Sequence, residues 1–321
     1  IPLVAYSYYE IPVYAMLINL FVLAVVNGLL GLTVLGVIVG MAFLPAGRVL
    51  FAPCGWMLDS YRFLCEVSLK IPGAQRITGK PAHMRIFWYY LGLGVFLLAI
   101  YACARRNEKH KDCRETADLC VSRRKKRLQG IVFSCFIAFL LLFLLFPQKK
   151  SFEIDFLDVG QGDGIYLCTG GGTSMFIDGG STDVKQVGKY RILPFLKAKG
   201  VSEISYWFVS HTDTDHVSGL KEVLVSGYRV EYLVFAKAVE KEAKTKELAE
   251  LARSHGTKVL YMQAGDTVRS KRAAMRCLYP KASDKAEDVN DLCLVLQFEE
   301  GDIRALFGGD ISTCLLYTSD A

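Results

Sequence analysis

Three stretches of this chain contain no charged side chain, and they limit what it can fold into. They cover residues 11–44, 86–104 and 131–147 of a 321-residue chain. A helix needs about 20 apolar residues to cross the roughly 30 Å hydrocarbon core of a bilayer. The second and third stretches therefore each predict one membrane-spanning helix. After residue 150, charges occur throughout, so the chain combines a multi-pass membrane region with a globular domain.

The first stretch is too long for one span. It lies between Pro12 and Pro45 and predicts either two tightly turned helices or one span followed by a re-entrant segment. Its glycines predict close helix packing; they are Gly28, Gly31, Gly36 and Gly40. Asn19 needs a polar partner or cavity inside lipid, so a translocation path and a packing hydrogen bond are both open.

Between residues 48 and 70, charged side chains return at helical spacing. Asp59, Arg62 and Glu66 are three or four residues apart, with apolar residues between them. This pattern predicts an amphipathic helix lying on the membrane surface.

A basic loop separates the last two predicted spans. Residues 105–130 carry ten Lys and Arg against four Asp and Glu. The positive-inside rule places this loop in the cytoplasm, so the span at 131–147 delivers residues 151–321 to the extracellular side of the cell membrane. That last part carries twenty Lys and Arg against twenty-five Asp and Glu, which predicts no strong basic patch on it.

These features divide the chain into four parts. Residues 1–104 form a transmembrane region, 105–130 the basic loop, 131–147 the last transmembrane helix and 151–321 the globular domain. The chain starts at Ile1 within apolar sequence and its last residues leave the strand pattern. We therefore expect a fragment that is truncated at both ends.

The globular part alternates short apolar strands with helices. Strands are predicted within FEIDFLDV, IYLCT, SMFID and ISYWFVS, and helices near 188–199, 218–226 and 238–254. Mixed strands and helices of this kind predict a layered α/β domain.

Two imidazoles and two carboxylates follow one buried strand within six residues. They are His211, Asp213, Asp215 and His216. Such a group is well suited to hold divalent metal. Four more carboxylates stand at or just after strand ends; they are Asp158, Asp163, Asp178 and Asp310. For each of these, a metal ligand and a turn-capping residue are both open.

The motif His211-x-Asp213-x-Asp215-His216 resembles the HxHxDH motif of the metallo-β-lactamase superfamily. With it, the segments LDVGQGDGIYL, IDGG, HTDTDHVSG, NDLCLVLQF and LFGGDI resemble the extracellular domain of the ComEC family. The apolar segment IPVYAMLINLFVLAVVNGLLG is similar to the end of that family's competence domain. The resemblance implies an αββα four-layer domain, incomplete at its C-terminus, after a multi-pass α-helical region.

The resemblance also implies a site. His211 and Asp213 would belong to one metal ion, Asp215 and His216 to a second, and Asp310 would bridge the two ions. Asp215 and His216 would carry catalysis, supported by four residues, which are Asp158, Asp163, Asp178 and Asn290. The cofactors are two divalent ions, Zn²⁺ or Mn²⁺, because Asp213 in place of a histidine makes Mn²⁺ a rival to Zn²⁺. Cys293 stands where the family usually has serine.

The function implied is DNA internalisation during natural transformation. The membrane region would form a channel for single-stranded DNA, and the extracellular domain would be a metal-dependent nuclease, a deoxyribonuclease that degrades the strand that is not transported. The implied partners are DNA, the lipid bilayer and other components of the DNA-uptake machinery. Two alternatives are open: a membrane-anchored metallo-hydrolase of small esters or phosphodiesters, and a transporter with an inert hydrolase-like domain.

Overall fold

The structure is a computed structural model that describes residues 2–71, 73–109, 130, 132–140, 142–143, 151–284 and 289–311. Most of the predicted basic loop, part of the last predicted span and the C-terminal residues lie outside the described ranges, and with them the prediction of a cytoplasmic loop. The chain divides into two compact units, one over Leu3–Thr78 and one from Gly79 onward. Each is described by itself.

The first unit is built around two long helices. Its elements are α1 (Pro2–Tyr8), β1 (Glu10–Pro12), α2 (Ala15–Ala42), α3 (Leu44–Leu69) and β2 (Gln75–Ile77). The strands β1 and β2 pair antiparallel, with Glu10 opposite Ile77.

Helix α2 corrects the prediction of a broken element in residues 11–44. The structure has one continuous helix of 28 residues, about 42 Å long at 1.5 Å per residue. Gly28 and Gly31 lie inside it, and a Cβ added at either would have no neighbour within 4 Å. The glycines do not end the helix. In an apolar segment, the backbone N–H and C=O groups can form hydrogen bonds only with each other, and a continuous helix satisfies them. Chain reversal occurs instead at Phe43, whose backbone is extended.

Helices α2 and α3 form an antiparallel hairpin. Near the turn, a Cβ on Gly47 would lie 2.6 Å from the Cα of Gly40, so the two backbones nearly touch. At the other end, the Tyr61 hydroxyl donates to the Val22 carbonyl at 3.5 Å. The predicted role of glycines in close helix packing is therefore confirmed at Gly40. The helix predicted between residues 48 and 70 is also present, but a flat position on the membrane surface does not fit this hairpin if α2 crosses the bilayer.

Two helices in the described residues are long and apolar enough to cross a membrane. They are Leu17–Ala42, within α2, and His83–Ala102, within α4 (His83–Lys109). Helical residues 132–140 contact α4. Phe136 stacks on Phe96 with ring centroids 4.2 Å apart, and the buried Leu140 joins Tyr89 in a small apolar cluster. The second and third predicted spans therefore pack against each other.

The globular part of the second unit contains ten strands in the described residues. Six are β3 (Glu153–Phe156), β4 (Gly164–Cys168), β5 (Ser174–Asp178), β6 (Glu203–Phe208), β7 (Arg229–Ala236) and β8 (Lys258–Met262). Four more are β9 (Thr267–Ser270), β10 (Ala273–Tyr279), β11 (Val295–Glu300) and β12 (Ile303–Phe307). The helices are α5 (Leu193–Ala198), extended by a π-helical turn at Gly188–Ile192, α6 (Thr214–Val225) and α7 (Ala243–Ser254).

The strands form two sheets. The first has the order β3-β4-β5-β6-β7-β8, in which neighbouring strands from β5 to β8 pair parallel, while the pairs β3-β4 and β4-β5 are antiparallel. The second is antiparallel throughout, in the order β12-β11-β10-β9. The predicted α/β class is confirmed. Strand β9 was not predicted, because its sequence TVRS is short and half polar.

Two apolar cores hold three layers together. One lies between the helices and the first sheet and includes the buried Trp207 and Leu220. The other lies between the two sheets and includes Phe208 and Phe298. Among the described residues, no helix covers the outer face of the second sheet. Three layers of the expected αββα arrangement are thus described.

Candidate metal centre

The candidate site lies at one edge of the first sheet. Strand β5 ends at Asp178, and β6, parallel to it, ends three residues before His211. The carboxyl ends of parallel strands meet at the same edge of a sheet. Strand β4 runs antiparallel and pairs Gly164 with Asp178, so Asp163 comes to the same edge.

The second sheet completes the site. Leu296 pairs with Phe307, so the start of β11 and the end of β12 lie side by side. Asp310 follows β12, and Cys293 precedes β11. A backbone hydrogen bond from Leu294 N–H to the Ser210 carbonyl, 2.9 Å, joins the two sheets at this point.

Two overlapping groups of side chains bring their potential ligand atoms together. His211, Asp215 and His216 form one, and Asp163, His216 and Asp310 form the other, with the ligand atoms in each group within 4.8 Å of one another. Nε2 of His216 lies 3.8 Å from Asp215 Oδ2 and 3.4 Å from Asp310 Oδ2. Because His216 belongs to both groups, this grouping differs from the division expected from the family resemblance.

Asp213 is held by a lysine. Its Oδ2 lies 3.9 Å from His211 Nε2, while its Oδ1 accepts a hydrogen bond from Lys244 Nζ at 2.8 Å. Lys244 stands in the first turn of α7, and the hydrogen bond to it lowers the pKa of Asp213. Asp213 is therefore ionised, with one oxygen facing His211.

His211 is buried and presents Nε2 to the site. Burial lowers its pKa, and the neighbouring His216 lowers it further. On its other side, Nδ1 lies 3.1 Å from Ser210 Oγ and 3.5 Å from Cys293 Sγ. Burial raises the pKa of Cys293 to about 12, so this sulfur is a neutral thiol. His211 is thus a neutral imidazole, as metal binding requires.

His216 is fixed by a buried carboxylate. Its Nδ1 lies 3.1 Å from Asp178 Oδ2, and Asp178 Oδ1 accepts the Ser210 N–H at 2.8 Å. Burial lowers the pKa of His216, but the Asp178 carboxylate outweighs burial and raises it to about 9. A carboxylate behind a histidine orients the ring and leaves Nε2 for a metal ion. Asp178 therefore orients His216 through its Nδ1, on the side of the ring away from the candidate ligand atoms.

The donor set fits divalent metal. Two imidazole Nε2 atoms and the carboxylates of Asp215, Asp310 and Asp163 converge, the combination that Zn²⁺ and Mn²⁺ accept in proteins. Burial raises the pKa of Asp163, and Asp178 raises it further, as expected where carboxylates crowd together without a cation.

Three glycines allow the loops to approach so closely. A Cβ on Gly180 would overlap the backbone of Asp215 and His216, and one on Gly162 would overlap the Asp215 carbonyl. A Cβ on Gly219 would overlap the Gly179 carbonyl. The glycines of GQGDG, IDGG and HTDTDHVSG therefore permit the contacts that bring the ligands together.

Some predicted residues lie elsewhere. The Asp158 side chain is 82% exposed and pairs with Arg191 at 3.0 Å, outside the cluster. Asn290 lies in a short 3₁₀ turn, Val289–Leu292, and its side chain is outside the described part of the structure. Asn19 is exposed on α2.

Two residues at the site were not predicted. Ser210 lies between the two histidines, with its Oγ 3.3 Å from His216 Nδ1. Its position directly before His211 was the sequence feature from which it could have been predicted. Lys244 is 31 residues from Asp213 in sequence. Its only signal was a basic residue in the first turn of a helix, which opposes the helix dipole.

The two facing sheets, the helices over one of them and the loop His211 to His216 at their edge define a metallo-β-lactamase-like domain. Residues 1–102 match the Competence protein family. The chain is 28% identical to ComE operon protein 3 of Bacillus subtilis over 209 residues, which cover 60% of this chain and 27% of that protein. It is 31% identical to Recombination protein 2 of Haemophilus influenzae over 106 residues, or 32% of this chain and 13% of that protein.

Solved structures with some likeness to the chain include two metalloproteins. One is CmlA, a diiron β-hydroxylase from Streptomyces venezuelae, with 16% identity, 51% of this chain and 30% of that chain covered, and a TM-score of 0.34. The other is Zn²⁺-bound PqqB from Methylobacterium extorquens, with 13% identity, coverage of 45% and 51%, and a TM-score of 0.32. By its sequence matches the chain is similar to these competence-related proteins, and it spans 27% and 13% of the length of the two curated relatives.

Proposed function

We propose that this chain acts in DNA uptake, and that its globular domain is a metal-dependent nuclease that cuts DNA on the outer side of the membrane. The match of residues 1–102 to the Competence protein family supports a role in DNA uptake. The candidate metal centre supports hydrolysis. The excess of basic residues in 105–130 supports an extracellular position for the domain.

The observation that carries the proposal is the position of His216. His216 belongs to both ligand groups, and its Nε2 lies 3.8 Å from Asp215 Oδ2 and 3.4 Å from Asp310 Oδ2. Two metal ions side by side would share this region. Paired ions supply a nucleophile from water and stabilise charge on a phosphate group during its displacement.

The chain's own residues prepare this chemistry. Asp178 accepts a hydrogen bond from His216 Nδ1–H and so directs Nε2, which gives up its proton when a metal ion binds, towards the site. His211 is neutral because it is buried. Asp310 is exposed in the described part of the structure, so its carboxylate is accessible to solvent.

The test is cleavage of linear DNA by the full chain with Mn²⁺, with Zn²⁺ and with chelator. We expect metal-dependent cleavage that falls at least 100-fold in Asp215→Asn, since removing one ligand removes a group that acts on the transition state. Asp158→Asn is the matched control, because it makes the same chemical change at a carboxylate outside the cluster. Its activity should stay within about twofold.

Two outcomes would contradict the proposal. Equal cleavage by Asp215→Asn and the native chain would remove the metal centre from the reaction. Hydrolysis of small phosphodiesters or esters without any cleavage of DNA, under either metal, would favour the membrane-anchored hydrolase instead.

A further inference from the structure

The hairpin of β9 and β10 carries an isolated group of positive charges, called here the basic hairpin. It contains Arg269, Lys271, Arg272 and Arg276 within eight residues. All four side chains are exposed. Within the described ranges, none of them has an ion-pair partner. The acidic balance of the domain predicted no strong basic patch, yet four exposed cations lie close together here.

The strand register puts two of these cations on one face. Met275 and Cys277 of β10 point into the core between the sheets, so Arg276 points to the outer face. Arg269 pairs with Ala274 on the same outer face. The acidic residue on the neighbouring strand, Glu299, is engaged by Arg304 at 3.7 Å. The charge of Glu299 is thus shared with Arg304, and the cations of the basic hairpin are in excess over it.

The basic hairpin is fixed rather than loosely attached. Ser270 Oγ and Thr173 Oγ1 share a hydrogen bond that ties it to the first sheet. Beside it, the Glu300 carboxylate accepts the Gly170 N–H at 2.9 Å. A shallow depression of about 370 Å³ is lined by Arg269, Lys271 and Arg272, and Glu299 lines it from the neighbouring strand. The cations therefore surround a preformed surface.

Four clustered cations without partners repel one another, which weakens the folded state. No ion pair to these four side chains is found among the described residues, so a partner with several regularly spaced negative charges explains them best. The segment TVRSKRAAMR contains no aromatic residue for stacking on bases. It also lacks the Trp, Phe or Leu that membrane-surface segments insert into lipid. These features favour the phosphates of a nucleic acid over a lipid surface.

We propose that the basic hairpin binds the phosphate backbone of DNA, independently of base sequence. This inference rests on the proposed function, since it names a second contact for the same DNA. β11 runs from Val295, beside the metal centre, to Glu300, which pairs with Ala273 next to the hairpin turn. At about 3.4 Å per residue this is roughly 17 Å. The hairpin would hold the DNA at that distance from the metal centre.

The test measures binding without metal. Binding of a fluorescein-labelled single-stranded oligonucleotide to the full chain in detergent is followed by anisotropy, in chelator, between about 50 and 200 mM NaCl. The hairpin variant combines three substitutions, Arg269→Gln, Arg272→Gln and Arg276→Gln. The control variant removes three exposed cations at or near α7, with Lys241→Gln, Lys246→Gln and Arg253→Gln.

We expect the hairpin variant to bind about tenfold or more weakly near 100 mM salt. Its slope of log affinity against log salt should fall by about 2, since each phosphate contact to a single strand contributes about 0.7. The control should stay within about twofold of the native chain. Because chelator is present, this result does not depend on whether the metal centre cleaves DNA.

Two results would overturn the proposal. One is an equal loss of affinity in the hairpin variant and the control, which would show that only net charge matters. The other is unchanged DNA binding together with reduced flotation on vesicles containing anionic lipid, which would assign the hairpin to a membrane surface. A native chain that binds DNA through the hairpin but does not cleave it with metal would contradict the proposed nuclease and leave this inference standing.

Discussion

Lys244 and Asp213 form an ion pair that connects helix α7 to the candidate metal centre. Lys244 Nζ lies 2.8 Å from Asp213 Oδ1, and the second oxygen of the same carboxylate lies 3.9 Å from His211 Nε2. One oxygen is thus held from outside while the other faces the site. The hydrogen bond from Lys244 therefore orients the Asp213 carboxylate relative to His211.

Lys244→Met should weaken Mn²⁺ binding by about three- to thirtyfold. Loss of an outer hydrogen bond to a metal ligand costs roughly 10- to 100-fold in affinity. Removing a positive charge near the ion recovers only part of this, because the Lys244 side chain is 70% exposed and its charge is screened. Isothermal titration of the metal-free protein with Mn²⁺ measures the difference.

Lys246→Met is the matched control for this variant. Lys246 is exposed, two residues further along α7. Lys246→Met should leave the Mn²⁺ affinity within about twofold of that of the native chain. Tighter Mn²⁺ binding in Lys244→Met would show that the lysine acts only through its charge and does not orient Asp213.

Asp178→Asn should change the pH dependence of stability in chelator. Burial opposes the charged form of His216, but Asp178 outweighs it and raises the pKa from 6.5 to about 9. The stabilisation from protonated His216 is therefore complete below pH 6.5 and lost as pH rises through 9. The native protein should lose on the order of 2–3 kcal/mol across this window. The variant should lose much less.

Urea denaturation at several pH values measures this effect. Asp158→Asn provides the control, because its partner is the exposed Arg191 and no histidine is affected. It should keep the native pH slope. A native pH slope in Asp178→Asn would mean that Asp178 does not set the protonation of His216.

The strand pattern of the sequence was sufficient to predict that the candidate ligands lie at one edge of the sheet. Asp178 ends one apolar strand and His211 follows the next, and parallel neighbours bring such positions to one edge. Alternation of apolar and polar residues is a local signal, and so the class of the domain and its candidate ligands could be predicted without a structure.

What the sequence missed depends on contacts between distant segments. Asp158 follows a strand as Asp178 does, yet it turns outward to Arg191. Lys244 reaches Asp213 from a different helix. The positive charges of the basic hairpin were not apparent in the net charge of the domain, because acidic residues elsewhere outweigh them. Local patterns carry no information about which side chain meets which after the sheets pack.

Gly180→Ala should disrupt the metal centre. A methyl group there would overlap the backbone of Asp215 and His216. Relief of the overlap requires a shift of that loop, which we expect to cost about 1–3 kcal/mol of stability and at least tenfold in Mn²⁺ affinity. Urea denaturation and Mn²⁺ titration measure the two effects.

Gly308→Ala is the control in the same region. Its added methyl would meet Ile311 Cγ2 at an ordinary 3.7 Å. It should therefore leave stability within about 0.5 kcal/mol. If Gly180→Ala bound Mn²⁺ as the native chain does, close approach of the two loops would not be needed for the site.

The hairpin of α2 and α3 should depend on Gly47. A side chain at this position would be forced into the backbone of Gly40, since a Cβ alone would lie 2.6 Å from its Cα. Gly47→Val should lower the stability of the hairpin in detergent by about 2 kcal/mol or more, because overpacking cannot be relieved against a facing backbone. Gly55→Val is matched to it, since Gly55 lies on the same helix with no neighbour within 4 Å. Thermal unfolding followed by circular dichroism should show a lower transition temperature for Gly47→Val alone. Equal shifts in both variants would mean that helix propensity, not contact between α2 and α3, accounts for the loss.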